Sequence, residues 1–436
     1  MQRLKILVAT SPFIMAARIA GAGTGFLAQT FLAHLLSPEA LGQFFAATSL
    51  ATVLGLLATQ GYPGVMQRFA TRYQTTERRS LGNDFFSQLQ CDTAAATVAF
   101  ATIMVVPAFF LSGIGRDGRI LILATALCMV SVSAFSIYAA LALTARRFGV
   151  ALLPETLLRP SIFLAAVWIL DASAFQFSAG TTAAAFAIVS FGLALAQYLA
   201  VQKAFPVHKV LASHRLVRRW RWEARPLLVV LLVTNLFADV AILLTSPFLE
   251  PSSLGPFGIA LKISMLVGFI VQVTHQIELP DLADANVKGL ASETQSVLLR
   301  STLIPVLVTL LALIGSIVWG ERLLLFFGPA YPAAADVLSI LIGAQLIRAI
   351  AGPSPMLLTL LGARATNATI CVGICLVLLV ANATLTVHFG MVGAGLAVVS
   401  SIVAWTGASA FVLYWQAKTR VDFFSVIPCL IARISR

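Results

Sequence analysis

Four charged residues lie deep in apolar runs: Arg18 in "FIMAARIAGAGTGF", Asp239 in "TNLFADVAILL", Lys262 in "LGPFGIALKI" and Arg348 in "LIGAQLIRAIAGP". A charge in such a setting is costly unless it faces a protein interior or a wet cavity, so each is a candidate functional residue. The set is three cations against one anion. That balance suits a ligand with a phosphate or another acidic head, and suits a cationic ligand poorly. Asp239 is the candidate for coupling to a proton or sodium ion. Each residue also has a plainer reading. Asp239 and Lys262 could pair structurally between neighbouring helices, and Arg18 could snorkel to a headgroup layer. Arg348 lies nearer mid-run, where snorkelling is harder.

Other chemistry is missing from the sequence. There is no GxxxxGK[ST] phosphate loop, no HExxH and no CxxC. His34, His208, His214, His275 and His388 form no pair at metal-ligand spacing. Cys371 and Cys375 share a helix face without a His or acidic partner near in sequence, which favours packing over a metal site. No metal or cofactor is expected. The loops expected on the outer side are short, which leaves no obvious platform for a membrane polymerase or glycosyltransferase.

The charges need apolar helices to hold them. The chain has 436 residues, of which 59% are hydrophobic and 11% charged; soluble domains carry about 25% charged residues. A bilayer is the natural solvent, and a spanning helix needs roughly 20 apolar residues. Twelve spans are expected, near 11–36, 43–67, 86–111, 120–144, 160–177, 181–202, 227–248, 256–278, 301–319, 336–361, 367–387 and 390–416. Arg3 and Lys5 precede an apolar run too long for a typical signal-peptide core, so an uncleaved first span is expected.

The net charge of +12 is distributed as a membrane topology would have it. With the N-terminus inside, only Arg116, Arg119 and Arg322 among the 29 Lys and Arg fall outside, and Arg18, Lys262 and Arg348 fall within spans. All others lie on the inner side, which supports an even number of spans with both termini inside. Nucleic acid is not the expected partner of this charge.

The chain also repeats itself. Pro38, Leu41, Gly42, Phe44, Ala47 and Gly55 match Pro251, Leu254, Gly255, Phe257, Ala260 and Gly268 at one constant offset. The two copies join spans one to two and seven to eight, so each half carries six spans in the same orientation. The phrase reads as a short outer turn with a close-packing glycine and an interfacial ring. The domains expected are a six-helix bundle over 1–202, a basic inner linker over 203–226, a second six-helix bundle over 227–416, and an interfacial tail over 417–436. Trp220 and Trp222 among the linker arginines suit a helix at headgroup level.

Three stretches resemble Wzx-type polysaccharide flippases. "LLSPEALGQFFAATSLATVLGLLATQGYPGVMQRF" is similar to their N-terminal signature, an L-S-P-E-x-L-G-x-F turn before a helix and a later R-F. "ADVAILLTSPFLEPSSLGPFGIALKI" resembles their Asp-containing span, outer turn and following helix. "LLLFFGPAYPAAADVLSILIGAQLIRAIAGPSPMLLTLLGAR" resembles their F-G-x-x-Y segment before a late G-P bend. The likeness runs from about residue 15 to 365. It implies the MOP (MATE-like) transporter fold: an all-α integral membrane protein with twelve transmembrane helices in two six-helix bundles, related by a pseudo-two-fold axis along the membrane normal. It further implies translocation of an undecaprenyl-diphosphate-linked oligosaccharide across a bacterial inner membrane. By this resemblance Arg18, Asp239 and Lys262 would line a central cavity. Members typically follow the span-seven Asp with Arg or Lys, whereas Asp239 is followed by Val240. Membrane lipids, and a polysaccharide polymerase and glycosyltransferases, are the partners it implies.

Three other functions compete: an ion-coupled drug antiporter of the same fold, a membrane enzyme of polysaccharide assembly, and a non-transporting scaffold. The topology itself is testable. Alkaline phosphatase fused after Gly115 should be active and after Lys209 inactive; the opposite pattern would invert the assignment.

Overall fold

A computed structural model describes residues 2–110, 113–288, 291–360, 363–417 and 422–423. The expected interfacial tail, 417–436, lies almost entirely outside them. The described residues are helical, with no strand among them. The chain divides into two compact units, Met1–Asp239 and Val240–Arg436.

The first unit contains α1 (Gln2–Leu35), α2 (Pro38–Ala58), α3 (Tyr62–Thr75), α4 (Arg79–Phe110) and α5 (Arg116–Thr144). After them come α6 (Phe148–Leu153), a π-helical turn (Pro154–Leu158), α7 (Arg159–Ala172), α8 (Ala179–Val201) and α9 (His214–Asn235). Its last residues begin α10 (Phe237–Thr245). The second unit holds the rest of α10, then α11 (Pro251–Lys288), α12 (Ala291–Leu325), a 3-10 turn leading into α13 (Ala335–Ile350), α14 (Ser354–Leu360), α15 (Arg364–Ala381), a second π turn (Asn382–Thr386) and α16 (Val387–Ala417).

Nine described helices are long and apolar enough to cross a membrane, and a tenth is a bent pair, α9 and α10, which meet at 83°. One of the nine, Ala365–Gln416, is two helices joined at Gly390. There the backbone turns out of the helical region, to φ 55 and ψ −131, a conformation that glycine tolerates best. With α1, 34 residues long, the described chain supplies the twelve helices expected. Three spans differ most from expectation. The seventh is broken at Leu236, the fifth begins at Phe148 and ends at Ala172, where 160–177 was expected, and the tenth ends at Ile350, where 336–361 was expected, so Arg348 falls in its last turn and not near mid-run. Proline is an ordinary loop signal, and Pro154 and Pro160 fall at or before the start of the fifth span expected. In the structure Pro154 starts a π turn and Pro160 falls in the first turn of α7, so the helix continues through both.

The repeated phrase is a helix start in both copies. Ser37 caps α2, accepting from the Ala40 N–H at 3.2 Å, and Pro38 occupies the first turn, where a missing N–H costs nothing. Pro251 opens α11 in the same way. The aromatic rings are core residues, not the interfacial rings expected. Phe44 packs on Phe45, Phe163 and Phe186, and Phe257 is fully buried. Gly55 and Gly268 both mark close approaches: a Cβ on Gly55 would meet Val132 and the Met129 carbonyl, and one on Gly268 would meet the amide end of Gln345.

The basic stretch expected as a headgroup-level helix is partly core. Trp220 is fully buried, while Trp222 is 73% exposed. Trp220 donates to the Tyr73 hydroxyl at 2.8 Å and packs edge-on to Phe85 and Tyr73. Beside it, Arg221 donates to Asp92 through Nε at 2.8 Å and Nη2 at 2.6 Å. Asp92 also accepts from the Tyr62 hydroxyl at 2.6 Å and from Gln88 at 2.7 Å. Glu223 pairs with Arg68 and Arg219. A fork-shaped donor, a phenol and an amide therefore satisfy one carboxylate and dock α9 on α3 and α4.

Two stability predictions follow from this packing. Asp92→Asn should cost about 3 kcal/mol, the low end for breaking a buried pair, because Arg221 keeps 40% of its side chain exposed. Arg221→Gln added to it should cost little more in a thermal-unfolding cycle; full additivity would mean the pair is uncoupled. Gly55→Ala should lower the melting temperature more than Gly268→Ala, since only the first meets backbone, whereas the second meets a movable amide.

Candidate functional site

In the first unit α1 lies against the π turn and α7. A Cβ on Gly21 would strike the Thr156 carbonyl, and one on Gly25 would touch Pro160. Arg18, Gly21 and Gly25 recur at helical spacing, so Arg18 shares that packed face, about one turn before the Gly21 contact. Its side chain is half-buried.

Asp239 lies in the first turn of α10, just beyond the break at Leu236. A carboxylate is favoured there by the helix N-terminus, and Ser49 of α2 donates to it at 3.0 Å. The charges of Asp239 and of Arg159 both act on the buried thiol of Cys128 in α5, which places them in one neighbourhood. Arg159 was expected in an inner loop. The structure puts it inside a membrane-length helix, Phe148–Ala172.

In the second unit Arg348 occupies the last turn of α13, where the helix dipole favours a cation. Its guanidinium lies 5.4 Å from the centre of the Trp405 ring on α16, a cation–π contact. Ala351 and Gly352 then end the helix, Gly352 at φ 69, before Ser354 begins α14. This is the late bend expected from "AGPSP". His275 of α11 is 3% exposed, bonds to the Ser301 backbone and feels the Arg348 charge. His275 is therefore a core residue.

Lys262 is half-buried on α11. Gln345 faces Gly268 and Met265, and Arg348 is electrostatically close to His275, so α11 and α13 run in the same direction. Lys262 lies two turns before Gly268 and Arg348 one turn beyond Gln345. Helical rise separates the two cations by about 13 Å along the unit. The second unit therefore carries its cations at two levels, not in one cluster. Among the described residues, no group of His, Cys, Asp and Glu could hold a metal ion.

Another polar knot sits at the second π turn. Asn382 accepts from Thr245 at 3.0 Å and from Thr386 at 2.9 Å, and donates to the Leu378 carbonyl at 2.9 Å. All of these groups are buried, so the amide satisfies two hydroxyls and fixes the irregular turn.

No protein-family model matches the chain, and no curated protein matches its sequence. Solved structures do match. A lipid II flippase, MurJ, in an inward closed conformation aligns with a TM-score of 0.71 at 14% identity, over 92% of this chain and 87% of that one. The chain has the fold of the MOP transporters. A multidrug-resistance MATE family transporter of that superfamily, inward-facing, aligns at 0.65 and 12% identity, over 93% and 94% of the two chains. A MOP superfamily transporter from Pyrococcus furiosus, described as having a binding pocket of reversed polarity, aligns at 0.52 and 12%, over 94% of each chain. The all-α, twelve-helix class expected from the sequence is thus the class observed, and the chain is a multi-pass membrane protein. At this identity the likeness speaks for fold, and the ligand must be argued from the residues.

Proposed function

We propose that the chain is a Wzx-type flippase. It carries a polyprenyl-diphosphate-linked oligosaccharide from the cytoplasmic to the periplasmic leaflet of a bacterial inner membrane, for O-antigen, capsule or exopolysaccharide synthesis. The observation that carries the reading is the excess of cations within membrane-length helices: Arg18, Lys262 and Arg348 against Asp239. Such charges are expensive in a bilayer unless an interior or a polar ligand repays them, and a diphosphate is the matching ligand. The fold shared with a lipid II flippase supports a lipid-linked cargo.

In this mechanism Arg18, Lys262 and Arg348 attract the diphosphate and the sugar crosses in the wet interior while the prenyl chain stays in lipid. Access alternates between the two leaflets. Asp239, held by Ser49, is the ion-coupling group. It takes up a proton or sodium ion in one state and releases it in the other. Both termini are cytoplasmic, and glycosyltransferases and a polymerase act before and after the step. The protein itself performs no bond chemistry.

The likeness to MATE transporters supports a second reading, an ion-coupled drug antiporter. The positive interior disfavours cationic drugs.

Replacing both Arg18 and Lys262 by Gln should reduce surface-polysaccharide export at least tenfold at normal membrane expression. Full export by that double variant would reject the mechanism, and altered drug resistance with normal glycan in a deletion strain would favour the antiporter.

A further inference from the structure

Arg159 is a cation that the sequence places in an inner loop and the structure places near the middle of a membrane-length helix. It is the twelfth residue of Phe148–Ala172, about 16 Å along it. The π turn over Pro154–Leu158 immediately precedes it; π turns often mark functional positions. Its side chain retains 22% exposure. The guanidinium lies over two rings, 5.7 Å from the centre of Phe135 on α5 and 5.4 Å from that of Phe186 on α8.

Its charged neighbours are few. Glu155, one turn earlier, lies at 3.8 Å and is 45% exposed, beyond hydrogen-bond distance and weakened by solvent. Asp239 acts in the same neighbourhood through Cys128 and is already engaged by Ser49. Aromatic rings occupy the faces of a guanidinium and leave the N–H edges in its plane. Those edges form a fork suited to two phosphate oxygens. Among the described residues, no hydrogen bond consumes them. Lining by rings keeps the charge desolvated enough to attract an anion strongly, yet does not neutralise it.

We propose that Arg159 is a phosphate-binding residue of the first unit, held by Phe135 and Phe186 to contact the diphosphate of the cargo. This assignment rests on the transport reading above. It adds a contact in a part of the chain where neither the resemblance nor the sequence pattern placed one. Arg18, on the helix packed against the π turn, supplies a second cation on the neighbouring element.

The test uses the full chain in nanodiscs, as wild type, Arg159→Gln and Arg159→Lys. The probes are undecaprenyl diphosphate, the neutral undecaprenol, inorganic pyrophosphate and phosphatidylglycerol. Wild type should bind undecaprenyl diphosphate, and pyrophosphate should compete. Arg159→Gln should weaken the diphosphate lipid at least tenfold and Arg159→Lys about threefold, because an ammonium keeps the charge and loses the fork. Undecaprenol should bind all three proteins alike. Equal diphosphate affinity in wild type and Arg159→Gln overturns the assignment and leaves the transport reading standing; should that variant not fold, equal affinity in Arg159→Lys does the same. Failure of pyrophosphate to compete overturns it, since the phosphates would not be what is read. An equal loss for phosphatidylglycerol overturns it too, by making the site one for bilayer lipid. Wild type that binds no undecaprenyl diphosphate overturns the transport reading and this assignment with it.

Discussion

The constraint on which the rest of the structure depends is the cost of a charge inside apolar helices. Each interior charge has a distinct answer to it. Asp92 accepts four donors, two of them from Arg221. Asp239 has the Ser49 hydroxyl and a helix N-terminus. Arg348 has the Trp405 ring and a helix C-terminus. Arg159 has two rings and, among the described residues, a long contact to Glu155 as its one ion pair. The first solution neutralises the charge and holds helices together. Among the described residues, the ring-held arginines, Arg159 and Arg348, keep donors to spend on something else, and this difference separates a structural ion pair from a ligand contact.

Breaks in the helices fall beside these charges. The first π turn ends one residue before Arg159, the bend at Leu236 comes three residues before Asp239, and the Gly352 turn follows Arg348 by four. Irregular backbone exposes carbonyls and N–H groups, which lipid cannot satisfy, so it is confined to places that protein or water covers. The same places are where a helix dipole ends and can act on a side chain. Charge and break therefore belong to one design: the break supplies the dipole end or the altered face, and the buried face supplies the packing.

Much of this was legible in the sequence, and the failures have physical causes. Helix number and apolar character follow from hydropathy, which a bilayer enforces. The duplicated phrase was expected as an outer turn with spans beginning near 43 and 256; both copies are instead helix starts, at Pro38 and Pro251, because Ser37 caps the first and a proline suits the first turn of each. Its rings were misplaced, since Phe44 looks the same on paper whether it meets headgroups or Phe163. Arg159 was missed because Pro154 and Pro160 are ordinary loop signals, and only the backbone shows a helix passing through them. Asp92 stands near a span end, where nothing local in the sequence marks it. Its partner Arg221 lies 129 residues away, beyond any local pattern. Trp220 was read as amphipathic surface because its neighbours are arginines, yet two of them, Arg221 and Arg219, are answered by Asp92 and Glu223. The roles of Arg18, Asp239, Lys262 and Arg348 were candidates on paper and stand now as proposals with defined surroundings.

Headgroup charge is the variable that bears most directly on a cation-rich transport path. In proteoliposomes containing the purified chain, the translocation rate of a short oligosaccharide linked to polyprenyl diphosphate can be compared with that of the same sugar on neutral polyprenol. Rapid transfer of the diphosphate form with little transfer of the neutral form is the predicted result. Equal rates for the two, or transfer of neither alongside export of a cationic drug, would contradict it.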